Sequence, residues 1–333
     1  MIWETESVPR EWGKGVIVPI LKGGVLGEKV FDPGSYRGIT LLNTVLKLFT
    51  GVISERLSGF CESENLLSEE QAGFRRSRSV IDQIFILHEL TRGRFPKRTF
   101  CCFLDIQKAY DRVWREGLWY KLHSKGVKNK LWRVLRSMYA RIQGGVRING
   151  RLSNFFDIDI GLRQGCLLSP LLFDIFIDGL VEEIRRTGKG VQYGEVLVGI
   201  LLFADDIVLV AESREDLEVL MEVVWKYSQK WRFLFNFDKS AVVIFEGKTR
   251  GRIQYGDCKE VCVCGRHWKF GEGFIMEVEV YKYLGVEFDR GCTFSVFKSR
   301  ILDRARKNRV ILGSAGSKKG RLSVKANINL WEG

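Results

Sequence analysis

Two rhythms of apolar residues alternate along this chain. The runs 100–104, 200–204, 207–211 and 241–245 are short, continuous and rich in β-branched and aromatic residues, as buried strands are. The stretches 170–186 and 214–231 repeat apolar residues at helical spacing; Ser169 and Pro170 open the first and Ser213 caps the second. The order β–α–β–β–α–β is the split βαβ, ferredoxin-like arrangement of an α+β fold. Right-handed crossover makes strands 100–104 and 200–204 parallel, with 207–211 between them and antiparallel to both.

The flanking pattern predicts further elements. Residues 12–22 read as a strand running into a loop at 23–34 that holds four glycines and Pro33. Asn43 caps a helix with Val45, Leu46, Phe49, Val52, Ile53 and Leu57 on its apolar face. Ser79 and Asp82 start a helix over 80–90, and Gly93 ends it. Helical periodicity runs from Lys108 to His123 and from Lys130 to Ile142, and Asn149-Gly150 marks a hairpin.

This topology gathers acids. Asp105 ends its strand, and Asp205–Asp206 form the two-residue tip of the hairpin 200–211. Adjacent carboxylates repel, and apolar surroundings make their ionisation costlier. Asp also simply suits tight turns, so the hairpin alone supports either a structural or a metal-binding reading. With Asp105 brought to the same rim, three carboxylates converge, a donor set that suits hard divalent cations. Two such ions about 4 Å apart clamp the attacking and leaving oxygens of a phosphoryl transfer.

Composition narrows the class. The 333 residues allow two or three subdomains, and 45% hydrophobic content supports a sizeable core. There is no secretory signal and no 18-residue uncharged apolar run, so a soluble protein without a membrane partner is expected. The net charge of +13 points to a polyanionic partner. Ten Lys or Arg against one acid, Asp303, stand between Lys298 and Lys325, net +9 (10 − 1). Eight cysteines without dense spacing suit a reducing, intracellular compartment, nucleus or cytoplasm. Cys258, Cys262, Cys264 and His267 do not have a familiar zinc spacing, and the alternation of Cys262 and Cys264 with Val261 and Val263 favours a plain β-hairpin.

Seven motifs then stand in order: YRGITLLN (36–43), QAGFRRSRSVIDQI (71–84), FLDIQKAYDRV (103–113), GLRQGCLLSP (161–170), FADD (203–206), NFDKS (236–240) and YKYLGV (281–286). Together they resemble the reverse transcriptases of non-LTR retrotransposons, the long interspersed element type, from about residue 10 to about residue 325. The resemblance implies a right-hand polymerase: fingers at 1–98, a ferredoxin-like palm at 99–290 with finger segments at about 114–160, and a basic helical thumb beginning at 291–333 and cut short. It implies RNA-directed DNA synthesis with an RNA template, a DNA primer and dNTP, on two Mg²⁺ ions for which Mn²⁺ can substitute. An endonuclease usually stands upstream in such elements, so a truncated element or a partial gene model is expected. Oligomeric state is not indicated.

Site roles follow by resemblance. Asp105, Asp205, Asp206 and the backbone carbonyl of Ile106 would hold metal. Tyr110 would be the aromatic gate that excludes a 2′-OH; the alternative is a helix aromatic packed inward. Gln164 would lie against nucleotide and template, unless it is a loop amide bonded to backbone, and Gly165 would let backbone approach substrate. Arg37 and Arg75 would grip the triphosphate, and Arg76 and Arg78 stand near enough to Arg75 that either is an alternative to it as the inward-pointing arginine. Lys239 would protonate the leaving pyrophosphate, or else is a surface lysine at a strand start. Asp111 reads as structural, paired with a nearby arginine, and Gly38 stands where the family often has Pro. A non-catalytic nucleic-acid-binding relic and an RNA-directed RNA polymerase are the rival expectations.

Overall fold

The computed structural model describes residues 2–23, 27–247 and 266–316. Its central sheet contains β1 (Thr99–Asp105), then, after helix α1 (Ser169–Arg186), the hairpin strands β2 (Ile200–Phe203) and β3 (Asp206–Ala211). Helix α2 (Arg214–Trp231) and strand β4 (Ala241–Phe245) complete the unit. The spatial order is β4–β1–β3–β2, the ferredoxin-like order that the sequence predicts. β3 is antiparallel to both neighbours, so β1 and β2 run parallel. Strands Gly273–Glu277 and His267–Phe270 extend the sheet beyond β4.

Side-chain alternation divides this sheet cleanly. Cys102, Leu104, Ile207, Leu209 and Val242 face the larger core, which contains the buried faces of α1 and α2. Cys101, Phe103, Val208, Val210 and Val243 face a second cluster, built with Leu87 and Leu90 of helix Val80–Arg92 and with Tyr283 and Phe288 of the hairpin Val280–Asp289. Asp105 and Asp206 continue the second face at the end of β1.

A separate sheet forms around Lys14–Leu21. This strand pairs antiparallel with Tyr36–Leu41 and parallel with Gln143–Ile148, so residues after β1 return to join the N-terminal strands. Two buried arginines fasten that return. Arg115 donates to the carbonyls of Gly161, Ile160 and Tyr139, and Arg163 to those of Trp12 and Met138.

Several local expectations shift. The hairpin turn is Ala204–Asp205, not Asp205–Asp206: Asp206 already pairs with Phe203 and Asp105 as the first residue of β3. In helix Thr44–Ser63 the buried stripe is Leu46, Thr50, Ile53, Leu57 and Cys61, while Val45 and Val52 face outward. The Asn43 cap and the Ser79–Asp82 capping box form as predicted. The helix expected from Lys108 begins only at Arg115, because Lys108 takes a left-handed backbone (φ +49°) and Tyr110–Arg112 is a 3₁₀ turn. Ser169 lies inside α1 rather than capping it; its hydroxyl is buried beside that of Tyr139. Of the CxxxCxCxxH group, Cys258, Cys262 and Cys264 lie outside the described residues, while His267 opens a strand. The helix Ser295–Gly316 begins the basic run, and Lys298, Arg304 and Lys307 on it are exposed.

Candidate active site

The three acids meet at one rim of the central sheet. Asp206 is the register partner of Asp105. The N–H of Asp105 donates to Ser240 Oγ (3.2 Å), and its carbonyl accepts from Asn236 N–H (2.8 Å). Both backbone groups of Asp105 therefore point away from β3, which makes Asp105–Asp206 a non-hydrogen-bonded pair, with Cα atoms about 4.5 Å apart and side chains on one face. Asp205 occupies the adjoining turn. Burial raises the Asp205 carboxyl above the ordinary range, and Asp105 adds to this while Arg37 and Lys239 pull it back. Asp206 is pushed up to about 6 by burial first, then by the charges of Asp205 and Asp105.

Other groups surround this rim. Lys239 Nζ lies 3.6 Å from Asp105 Oδ2 and is largely exposed. Ile106 faces Phe235 in an antiparallel bridge that is closed on either side by Gln107 N–H to Leu234 O and Asn236 N–H to Asp105 O. Those bonds leave the Ile106 carbonyl pointing to the opposite side, toward the hairpin turn. Arg37 is exposed on strand Tyr36–Leu41, and its guanidinium has no hydrogen bond or ion pair among the described residues. The half-buried Tyr110 ring stacks on Phe173 (centroids 5.4 Å apart), and burial, then Asp174 and Asp205, raise its hydroxyl pKa.

Other expected site residues are committed elsewhere. Arg75 is buried: Nε and Nη2 hold both oxygens of Glu62 (2.9 and 2.8 Å), and Nη1 holds the carbonyls of Ser68 and Gln71. A guanidinium with these donors filled is a clamp inside the fold, which corrects the expectation that it grips triphosphate. Arg76 and Arg78 pair at the surface with Glu55 and Glu69. Gln164 donates to Asp111 Oδ1 (2.7 Å), so among the described residues Asp111 is paired with an amide and not with an arginine. Gly165 has φ +106°, and a Cβ there would sit 2.8 Å from Thr40 O; the close approach that it permits is to the strand Tyr36–Leu41.

A family model described as "Reverse transcriptase (RNA-dependent DNA polymerase)" matches residues 20–288. This chain belongs to the reverse transcriptase family. It is 30% identical over 286 residues to the RNA-directed DNA polymerase from mobile element jockey of Drosophila funebris, a match that covers 84% of this chain and 29% of that protein. The jockey polymerase of Drosophila melanogaster is 26% identical over 332 residues, 97% of this chain and 34% of that protein. A type-1 retrotransposable element R2 polyprotein of Nasonia vitripennis is 28% identical over 226 residues, 66% of this chain and 21% of that protein. The chain thus spans about a third of the length of the jockey proteins. Among solved structures it is similar to apo telomerase from Candida tropicalis truncated from its C-terminal domain, with TM-score 0.52 and 15% identity over 86% of this chain and 55% of that one. That likeness shows the right-hand polymerase fold.

Reverse transcriptases generally use divalent metal ions, and the donor set here fits one. Two carboxylates face each other, a third adjoins them, and a main-chain carbonyl points their way. Among the described residues no three such side chains are already drawn into a cage. Asp105 instead leans toward Lys239, as a bare carboxylate among like charges should.

The reverse transcriptase motifs also hold supports that the sequence did not single out. Gln71 is buried, and its Oε1 accepts from Gly73 N–H (2.8 Å) and Ala204 N–H (3.1 Å), fixing the hairpin turn from another segment. Residues 70–72 also bond Leu202 through its N–H and carbonyl, covering the edge of β2. Tyr281 stacks on Phe103 (4.3 Å) and donates from its hydroxyl to Lys239 O (2.9 Å), setting the backbone that carries the lysine. Asp174 is fully buried with no hydrogen bond to either oxygen, and burial, then Asp178, holds its carboxyl far above the usual range. Gln71 and Tyr281 lay in motifs that were legible; only the distant partner was not.

Proposed function

We propose that this chain carries out RNA-directed DNA synthesis, adding dNTP to the 3′-OH of a DNA primer on an RNA template. The observation that carries the reading is Asp206 in register with Asp105, with Asp205 in the adjoining turn. Asp105, Asp205, Asp206 and the Ile106 carbonyl would hold Mg²⁺, which when bound supplies Lewis-acid stabilisation of the charge on the reacting phosphate. Arg37, unpaired at this rim, binds the triphosphate. Tyr110 closes the space beneath the sugar, so that a 2′-OH has no room. The primer 3′-oxygen attacks the α-phosphorus and loses its proton to solvent, and the bond to pyrophosphate breaks. Lys239 Nζ gives that leaving group a proton, a general-acid contribution of about 10²–10⁴-fold.

The two sheets support the division into fingers at 1–98 with returning segments at about 114–160, and a palm at 99–290. The helix from Ser295 supports a basic thumb that begins after 291. Free, buried Cys61, Cys101, Cys102, Cys166 and Cys292 support a reducing, intracellular setting. Among the described residues no helix is long and apolar enough to cross a membrane.

Primer extension by the 333-residue chain on an RNA template with Mg²⁺ tests the reading. Extension that disappears in Asp205→Ala and persists in Glu222→Ala, an exposed helix position paired with Lys226, is the expected result. Hybrid binding without extension in the wild-type chain would favour a relic and sink the proposal.

A further inference from the structure

Behind the turn that carries Asp205, the fold leaves three buried polar atoms without a hydrogen bond. Two are the carboxyl oxygens of Asp174 on α1, and the third is the side-chain nitrogen Nε2 of Gln71. Both side chains are 0% exposed. Native folds seldom leave such atoms unpaired, because each has given up its bonds to water.

The two residues meet in one part of the core. The charges felt at Asp174 are those of Asp178, Arg75 and Asp205. Each of these adjoins Gln71. Arg75 Nη1 donates to the Gln71 carbonyl (3.0 Å). Asp178 Oδ1 accepts from Ser68 N–H (2.7 Å), and the Ser68 carbonyl accepts from Gln71 N–H (3.1 Å). Asp205 follows Ala204, whose N–H donates to Gln71 Oε1.

Those neighbours are engaged elsewhere. Asp178 accepts from Ser68 N–H and from Lys125 Nζ, and Arg75 is committed to Glu62 and to two carbonyls. Tyr110 also feels the Asp174 charge, but its side chain is only half-buried and its hydroxyl can bond solvent. The Gln71 amide has no such outlet and cannot turn round. Its oxygen must face the N–H groups of Gly73 and Ala204, so its nitrogen faces the other way.

We propose that Asp174 is a positioning residue, which holds the Gln71 amide through one buried water and so fixes the turn that carries Asp205. A buried water typically makes about three hydrogen bonds, and the unpaired atoms supply that number. The water accepts from Gln71 Nε2–H and from the carboxyl O–H, and donates to the other carboxyl oxygen. With its nitrogen held, the amide keeps its oxygen aimed at the two N–H groups of the turn. The consequence for the acids rests on the polymerase reading; the bridge itself does not.

Hydrogen exchange at Gly73 and Ala204 N–H, measured on the 333-residue chain, tests the bridge without any catalysis. Asp174→Leu keeps the bulk of the side chain and removes both oxygens. It should melt no lower than wild type, since it also removes a buried acid. Exchange at the two amides should quicken by about two- to tenfold, the worth of one ordinary hydrogen bond. The kcat for extension should fall by about 10²-fold, as a displacement near 1 Å gives, while KM for dNTP and hybrid affinity change little. Asp174→Asn, which offers a donor and an acceptor in the same shape without a charge, should restore exchange and kcat. In Gln71→Met, which has no amide to hold, adding Asp174→Leu should change neither quantity further. If Asp174→Leu does not fold, Asp174→Val carries the same expectations for exchange and kcat.

Wild-type exchange at both amides in the folded apolar variant overturns the proposal. So does an Asp174→Asn chain that behaves like Asp174→Leu, and so do additive effects of the Gln71 and Asp174 substitutions. Faster exchange with undiminished kcat overturns it as well, since the turn would then not set the acids. Faster exchange in the variant of a chain that extends no primer leaves the bridge standing while the polymerase reading fails.

Discussion

Asp206 faces Asp105 directly across the β1–β3 pair, two carboxylates in register on one face of a sheet. Like charges in this relation destabilise a strand pair by roughly 0.2–1 kcal/mol, and partial burial adds to the cost. The fold retains a local defect where a bound cation would turn repulsion into attraction.

Replacing Asp206 by Asn should therefore stabilise the cation-free protein at neutral pH. Its folded carboxyl is pushed up to about 6 from an ordinary 3.8, so between those values the folded chain holds a proton that the unfolded chain has released. Stability falls as pH rises through that window and stays lowered above it. The Asp206→Asn advantage should be near zero at about pH 4 and reach at most about 2 kcal/mol above about pH 6, allowing for solvent screening. Melting curves in a chelator across that range check it, and an advantage independent of pH would refute the account. Extension by the same variant should drop by about 10³-fold.

Tyr110 offers a test of sugar selection. Its ring is half-buried against Phe173 and lies near Asp205. Tyr110→Ala should improve use of rNTP relative to dNTP by about 10–100-fold, seen in kcat/KM for each, while Tyr110→Phe keeps the ring and the selectivity. If the alanine variant loses both activities equally, the ring is serving packing alone.

The strand order and the meeting of the three acids were readable because alternation and run length fix which residues form strands and which face they show. The hairpin tip was misplaced by one residue because its determinant is remote: Ala204 adopts φ +56° under a bond from its N–H to Gln71. The destination of Arg75 was equally hidden, since Glu62 sits on the preceding helix and the QAGFRR pattern does not show which arginine turns inward. Gln164 and Asp111 lie 53 residues apart, so their bond had no local signature. Sequence carried the backbone plan well; the destinations of long polar side chains depended on partners that the chain brings together only on folding.

The Arg75–Glu62 pair should govern stability more than catalysis. Arg75 is almost wholly buried, and its guanidinium holds the Glu62 carboxyl below the ordinary range. A depressed folded value means that the pair's contribution is complete above the unfolded carboxylate pKa and is lost as pH falls through the folded one. Glu62→Gln should cost about 1–3 kcal/mol at neutral pH, because the buried cation loses its nearer, bidentate anion and keeps only the longer contact to Glu69 at 3.8 Å. The difference in denaturation midpoint from wild type should shrink on acidification below about pH 4. A difference that grows on acidification would show that the pair is not the cause.

Gly73 tests whether the 71–73 segment sets the position of the acids. A Cβ there would stand 2.3 Å from Ala204 N and 2.9 Å from Ala204 Cα, both rigid backbone atoms in the turn that carries Asp205. Gly73→Ala must therefore move the turn or the segment, and either movement strains the bonds from Gly73 N–H and Ala204 N–H to Gln71 Oε1. A displacement near 1 Å can cost about 10²-fold in rate. Extension should fall by that order while hybrid binding, which does not depend on the turn, changes little. Gly59→Ala, on an open helix face where an added methyl meets nothing within 4 Å, is the matched control and should leave extension intact. Equal effects from the two substitutions would mean that contact with Ala204 does not position the catalytic rim.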